Sequence, residues 1–327
     1  MSFQQAAARA GANIALVKYW GKRDQRLNLP AAGSISVTLA GLETRTTVTP
    51  DPTLGADEFV LDGVDQPPGR VGAVLDLVRE RAGETVACRV ESRNNFPTGA
   101  GLASSASGFA ALAVAAGRAF GLDLSESDLS GLARRGSGSA ARSIFGGFVE
   151  MDAGSLDSGA DAVAHQLLPA GDWPLEVVVA ITDSGSKAVG SRDGMNHTMK
   201  TSPYYPAWVE TVADDLDAAR SAIASRDFEA LARTAEHSAL KMHASMLAAR
   251  PGLIYWNPAT LACLHAVRTL RSAGTGVFFT IDAGPQVKAV CLPGDSERVA
   301  GLLAEQPGVH DILVTGLGAG AAQVPSR

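Results

Sequence analysis

At 327 residues the chain has room for about two domains at roughly 150 residues each, and for a core that hides about three-quarters of its unfolded surface. Its 28 Lys+Arg against 34 Asp+Glu leave a net charge of −6 with only 19% of residues charged, which excludes the basic surface that nucleic-acid or membrane-surface binding requires. A hydrophobic share of 46% excludes disorder, no apolar run nears the roughly 18 residues of a membrane span, and the first ten residues form no apolar signal core, so a cytoplasmic protein is expected.

In chain order, Ile35, Val37 and Leu39 alternate as a strand over 34–39, and the Thr/Val-rich stretch 44–49 reads the same way. Val71, Val74, Leu75 and Val78 recur at helical spacing over 69–81. Residues 86–92 form a strand that runs into Asn94, and the Ala-rich, proline-free stretch 102–120 predicts a long buried helix. Ser125 with Asp128 is a capping-box signature for a helix through Leu129, Leu132 and Ala133 that stops at Gly136. Strands are expected at 146–151 and 175–182. The polar stretch 184–191 then marks a boundary between residues 1–184 and 185–327. Beyond it come amphipathic helices at 208–225 and 227–249, a break from Pro251 to Pro258, and a helix at 259–272. Strands at 277–281 and 287–292, a helix at 297–305 and a strand at 312–315 complete the chain. Helices followed by a strand pair, a helix and a strand make an α+β pattern, not a doubly wound sheet. The odd, widely spaced Cys88, Cys263 and Cys291 read as small buried hydrophobes.

Four segments and one further acid carry candidate chemistry. In 97–107, Gly99 and Gly101 precede the long helix and Ser104 and Ser105 open it. Unpaired N–H groups and the positive dipole end there suit a phosphate, and the two hydroxyls could add phosphate or Mg²⁺ contacts. The stretch lacks both a Walker A lysine and a GxGxxG spacing, and it also suits an ordinary glycine-rich helix cap. In 136–143, the alternation of Gly136, Ser137, Gly138 and Ser139 ends in Arg142, a pattern suited to an anionic substrate or to a flexible surface loop. The segment 184–192 brings Lys187, Ser191 and Arg192 together and by itself reads as a solvated loop. Lys18-Tyr19-Trp20-Gly21-Lys22 is a compact cationic patch. Asp282 follows an apolar strand, where it is either a turn former or a catalytic base. The six histidines show no metal-ligand spacing and read as structural.

Together these residues resemble the GHMP kinase superfamily and, within it, the diphosphomevalonate decarboxylase family. The resemblance rests on residues 13–22, including Lys18-Tyr19-Trp20-Gly21-Lys22, and on Leu29-Pro30 with residues 34–39. It continues through Asn94-Asn95-Phe96-Pro97-Thr98, residues 137–148, Met242-His243-Ala244, 281–285 and Gly316-Leu317-Gly318-Ala319-Gly320. It implies a two-domain α+β GHMP-kinase-like fold. An ATP-binding, ribosomal-S5-domain-2-like unit would cover 1–184 and a ferredoxin-like sandwich 185–327, with the active site in the cleft between them. The implied activity is ATP-dependent decarboxylation of (R)-5-diphosphomevalonate to isopentenyl diphosphate by way of 3-hydroxyl phosphorylation. The related alternatives are a 5-phosphomevalonate decarboxylase giving isopentenyl phosphate, and a small-molecule kinase that stops after phosphorylation.

The same resemblance implies roles for individual residues. Asp282 would orient the 3-hydroxyl and act on its proton, Lys18 would stabilise that carboxylate and the transferring phosphoryl group, and Arg142 would hold the substrate carboxylate. Tyr19, Lys22, Ser137, Gly138, Ser139, Ser191 and Arg192 would surround the substrate diphosphate. Pro97, Gly99, Ala100, Gly101, Leu102, Ala103, Ser104, Ser105 and Lys187 would take the ATP phosphates, with Ser105 touching Mg²⁺ and Ser92 and Asn94 at the adenosine end. The glycines of 316–320 would approach phosphate or shape the pocket. A homodimer is implied, with no nucleic-acid or membrane partner. Ala31-Ala32-Gly33 stands where the family commonly carries polar residues.

Overall fold

The computed structural model describes residues 3–96, 104–183, 185 and 187–326. The first half holds β1 (Ala6–Val17), β2 (Lys22–Asp24), β3 (Leu29–Pro30), β4 (Ser34–Pro50), β5 (Glu58–Leu61) and β6 (Val64–Gln66). Next come α1 (Gly69–Ala82), β7 (Cys88–Asn94), α2 (Ser104–Ala119), α3 (Glu126–Gly136), a 3₁₀ segment Gly138–Ile144, β8 (Phe148–Met151) and β9 (Ala164–Leu168). The second half continues with β10 (Glu176–Ile181), α4 (Ser191–Thr201), α5 (Tyr205–Glu210), α6 (Val212–Ser225), α7 (Phe228–Leu247) and α8 (Pro258–Ser272). It ends with β11 (Val277–Ile281), β12 (Val287–Cys291), α9 (Ser296–Ala304), β13 (Asp311–Gly316) and β14 (Ala322–Val324).

The two strands expected at 34–39 and 44–49 are one 17-residue strand, β4, which is the spine of the first sheet. Its front end pairs with β8 and its far end with β7, while β1 runs antiparallel along nearly all of it. The sheet order is β14-β1-β4-β7-β5-β6, with β8 and β9 branching from β4. Only the last residues of β1, 14–17, have the apolar, β-branched character of a strand. Ala6, Ala7, Ala8, Ala10, Ala12 and Ala15 favour helix by propensity, yet they are buried in a strand. Their small size is the reason they suit this place. Ala6, Ala8 and Ala10 share one core with Ala110, Ala111 and Ala113 of α2, so the helix lies close on the sheet. The capping box on α3 forms as expected: Asp128 N–H donates to Ser125 Oγ and the Ser125 N–H to Asp128 Oδ2.

The second sheet is antiparallel throughout, ordered β11-β12-β10-β13. With helices between β10 and β11 and α9 between β12 and β13, it has the β-α-β-β-α-β arrangement of a ferredoxin-like unit. One face packs Val178, Phe279 and Ala289 against Cys263 and Val267 of α8 and Val299 of α9. The other face joins a core shared by both halves, in which Val177, Val179, Phe278 and Val290 meet Leu231 and Ala235 of α7 and Ile14, Ile35 and Val37 of the first sheet.

The sheets divide the chain differently from a single cut at residue 184. β10 precedes that point yet pairs in the second sheet, and β14 returns from the far end of the chain to pair with β1. Backbone pairing, which no local composition reports, sets the division. The segment 138–144 is a buried 3₁₀ turn, not a surface loop, and Ser191 and Arg192, at the end of the polar stretch expected as a solvated loop, open helix α4. The glycines of 316–320 are not in the lining of the two cavities described below. Gly318 N–H donates to Thr38 O and Gly318 O accepts from Gly147 N–H, while a Cβ on Gly320 would lie 2.4 Å from Ile144 O. They allow backbone to lie on backbone.

Because the β1–α2 contact is built from small side chains, Ala10→Leu should lower stability by about 1–3 kcal/mol through overpacking. The urea midpoint measures it, and an unshifted midpoint would refute this close packing.

Candidate active site

β1 ends at Val17 and β11 at Ile281, and the next residue of each enters the same cavity. Lys18 Nζ donates to Asp282 Oδ1 at 2.7 Å, joining positions 264 residues apart. Three contacts hold the two strand ends in place. Lys18 N–H donates to Ser238 Oγ of α7 at 3.0 Å, Thr280 Oγ1 donates to Ala15 O at 2.9 Å, and Lys288 Nζ of β12 lies 3.3 Å from Asp282 Oδ2. The cavity they border holds about 530 Å³ and is lined by Lys18, Lys22, Arg70, Arg142, Lys187 and Arg192 against only two acids, Asp193 and Asp282.

Arg142 is 2% exposed and sits at the floor, in the 3₁₀ segment. It donates through Nε to Ser36 Oγ at 2.9 Å, through Nη1 to Ser34 Oγ, and through Nη2 to Asn13 Oδ1 at 3.2 Å. A guanidinium has five N–H donors, so one hydrogen on each Nη remains for a carboxylate or phosphate in the cavity. Asn13 is held in turn by donating to Ser139 O and Ser143 Oγ. Tyr19 has a buried hydroxyl without a hydrogen-bond partner among the described residues, and it lies where a Cβ on Gly138 would be only 2.2 Å away. Only glycine lets the phenol reach the cavity.

Burial pushes the lysines down. Lys18 falls to about 8 because desolvation outweighs the pull of Asp282. Lys22 falls to about 8 through burial and the neighbouring Arg192 and Arg70, and Lys187 to about 8 through burial and Lys288. Burial also works against the Asp282 charge, but Lys18 and Lys288 together hold the carboxyl well below the usual carboxylate range. Burial lifts the Tyr19 phenol to about 12, so it stays neutral. A cavity whose cations are short of counter-charge is built to receive a small polyanion.

The other expected residues fall in four groups. Ser137, Gly138, Ser139, Ser191 and Arg192 line this cavity with Lys187, whose Nζ lies 3.3 Å from Ser191 Oγ. Ser92 and Asn94 line a second, more apolar cavity of about 280 Å³ with Phe59, Leu61, Pro68 and Leu112. Ser104, Ser105 and Arg70 border both cavities, and Ser105 Oγ is 3.2 Å from Ser137 Oγ. Pro97, Gly99, Ala100, Gly101, Leu102 and Ala103 lie outside the described residues. Among the described residues no cluster of three or more His, Cys, Asp or Glu could hold a metal ion. The serine hydroxyls and the two acids suit a Mg²⁺ that arrives with a phosphate ligand, because Mg²⁺ usually takes few protein ligands and keeps substrate oxygens.

Comparison with known proteins agrees with this geometry. Residues 10–164 match the model for a diphosphomevalonate decarboxylase-like N-terminal domain, and residues 177–313 match that for the mevalonate 5-diphosphate decarboxylase C-terminal domain. The chain belongs to the diphosphomevalonate decarboxylase family. The Candida albicans diphosphomevalonate decarboxylase is 36% identical over 96% of both chains, and the human one 39% identical over 84% of this chain and 74% of its own length. Solved mevalonate diphosphate decarboxylases are similar in fold. The Staphylococcus aureus structure has a TM-score of 0.92 at 38% identity, over 99% of both chains. A structure described as MDDEF in complex with MVAPP, AMPPCP and magnesium has a TM-score of 0.91 at 41% identity, over 99% of this chain and 100% of its own.

For this family member the sequence reading passed over several residues that the cavity or its border uses. Asn13, Ser34 and Ser36 stood inside quoted motifs without a role. Ser34 and Ser36 have a signal, the polar side of a strand whose alternate residues are Ile35, Val37 and Leu39, whereas Asn13 is a lone polar residue in β1. Lys288 interrupts an apolar run, and Arg70 gives no signal beyond an ordinary helix start. His243, read as structural, is 2% exposed, stacks near Trp256 and faces Lys18 and Asp282; burial lowers it to about 3, so it is neutral.

The depressed lysines set a pH dependence. A lysine lowered to about 8 is charged below that pH and loses its charge above it, so affinity for pyrophosphate should fall from about pH 7 to about pH 9.5. Calorimetry in buffers of different ionisation enthalpy should show proton uptake near pH 8. Flat affinity across that range would contradict the assignment of Lys22 and Lys187 to the anion site.

Proposed function

We propose that this protein catalyses ATP-dependent decarboxylation of (R)-5-diphosphomevalonate to isopentenyl diphosphate, releasing ADP, phosphate and CO₂. The observation that carries the reading is the Lys18–Asp282 pair, 2.7 Å apart, bordering the same cationic cavity as the half-used guanidinium of Arg142. MVAPP, AMPPCP and magnesium bind the similar MDDEF structure, which supports the same ligand classes here.

A tertiary alcohol leaves poorly, so the 3-hydroxyl oxygen first bonds to the γ-phosphorus of ATP and ADP departs. Asp282 accepts the hydroxyl hydrogen bond and orients the attacking oxygen. A carboxylate held far below its ordinary range is a weak base, which suits a loose transition state in which the hydroxyl proton passes to Asp282 only late. Lys18, anchored on Asp282, offers its remaining donors to the transferring phosphoryl group, whose charge must be met as it develops. The phosphate then leaves with the C–O electron pair, the bond to the carboxylate breaks, and its electrons form the new double bond as CO₂ departs. Arg142 holds that carboxylate through its two free N–H donors in the geometry this step needs. Lys22, Arg192, Tyr19 and the hydroxyls of Ser137, Ser139 and Ser191 surround the diphosphate. The second cavity takes the adenosine end beside Ser92 and Asn94, with Ser104 and Ser105 at its junction with the first, where the phosphates and Mg²⁺ would pass. No helix among the described residues is long and apolar enough to cross a membrane. We place the enzyme in the cytoplasm, on its mild charge and three unpaired, buried cysteines, as the homodimer that the family resemblance implies.

The test follows ADP and CO₂ together from ATP, Mg²⁺ and either 5-phospho- or 5-diphosphomevalonate. Equal release of both products with the diphosphate is expected. ADP without CO₂ would leave a kinase, and turnover of the monophosphate alone would reassign the substrate. Asp282→Asn should keep ATP binding and lose about 10²–10⁴-fold in kcat; a loss below about tenfold would refute the role given to Asp282.

A further inference from the structure

Lys288 is a buried charge that the reaction as described leaves without a task. It is 1% exposed in the middle of β12, where Val287, Ala289, Val290 and Cys291 are all buried and apolar. An ammonium in such a place costs several kcal/mol of desolvation, and a buried ion pair is seldom more stabilising than apolar side chains of the same volume. Stability therefore gives no reason for a lysine here.

The strand register supplies one. Thr280 pairs with Lys288 and Ile281 with Val287, so Lys288 stands on the face of the sheet that also carries Thr280 and, two residues on, Asp282. Its Nζ lies 3.3 Å from Asp282 Oδ2, an oxygen that is itself fully buried, whereas the Asp282 side chain as a whole is 26% exposed. Lys18 borders the cavity and holds the other oxygen; Lys288 is not among the residues that line it. The two ammonium groups thus grip one carboxylate from two sides.

We propose that Lys288 is a positioning residue for phosphoryl transfer, fixing the rotation of the Asp282 carboxylate from the protein interior so that its open edge meets the hydroxyl to be phosphorylated. The inference rests on the function proposed above. Two oxygens held by two cations leave the carboxylate one orientation, and that preorganisation is lost if either cation is removed. The charge also reaches Lys18. The groups facing Lys18 are Asp282 after β11, Lys288 on β12, Arg142 in the 3₁₀ segment and His243 on α7, and of these Lys288 and Arg142 oppose its protonation.

The variants Lys288→Met, Lys288→Gln and Lys288→Arg test the role, read as ADP release. Lys288→Met should lower kcat by about 10–100-fold while both KM values stay within about threefold, and Lys288→Arg should recover most of the loss. The basic limb of the kcat profile should move to higher pH in Lys288→Met, because one of the charges that add to burial in lowering Lys18 is gone. A merely structural lysine would leave that limb in place. A Lys288→Met enzyme with kcat within about twofold of the parent and an unmoved limb would overturn the proposal. If Lys288→Met fails to fold, Lys288→Gln is judged by the same criteria, and if neither folds the residue is structural and the proposal fails. Parent enzyme that releases ADP without CO₂ would defeat the proposed overall reaction while leaving this test, which reads only phosphoryl transfer, intact.

Discussion

The rest of the site depends on one constraint: a lysine with 1% of its side chain exposed must keep its charge. Lys18 does so because Asp282 lies 2.7 Å away, and Asp282 can lie there only if two sheets bring their strand ends to one point. The shared core that packs Val177, Val179 and Phe278 against Ile14, Ile35 and Val37 sets the distance between those ends. The Thr280 to Ala15 and Lys18 to Ser238 hydrogen bonds set their orientation. Ordinary apolar burial thus positions a pair that apolar burial alone would neutralise.

Around that pair the protein maintains an excess of buried positive charge. Arg142 tolerates its depth because two serines and an asparagine take three of its donors, and Lys22 because Asn28 Oδ1 accepts from it at 2.6 Å. Neutral oxygens satisfy the hydrogen bonds without cancelling the charge, which is kept for a ligand. Net charge over the whole chain, at −6, conceals this local reversal of sign.

Much of this was legible in sequence where a signal is local. The capping box at Ser125, the amphipathic helices and the strand pair around Asp282 all follow from spacing, and the motifs in residues 13–22 and 137–148 contain many of the residues that line the cationic cavity. The misses have physical causes. The alanines of β1 prefer helix until a second alanine-rich surface packs on them. Helix α4 contains Gly194, which has low helix propensity, but a Cβ there would lie 2.5 Å from the Tyr255 hydroxyl, so packing requires the glycine. The glycines of 316–320 suit a phosphate-facing or pocket-shaping loop by sequence, yet Gly318 and Gly320 serve close backbone approach, since glycine permits both.

By itself the sequence determined most of the elements, the α+β order and the residue types of the site, because periodicity, caps and side-chain chemistry are carried by neighbours along the chain. Only the tertiary structure decided which of those residues meet. Pairing across 264 positions, the return of β14 to β1, and the approach of Lys288 to Asp282 from behind depend on strand register and on which faces share a core. Those are properties of packed surfaces, and no local stretch of sequence contains them.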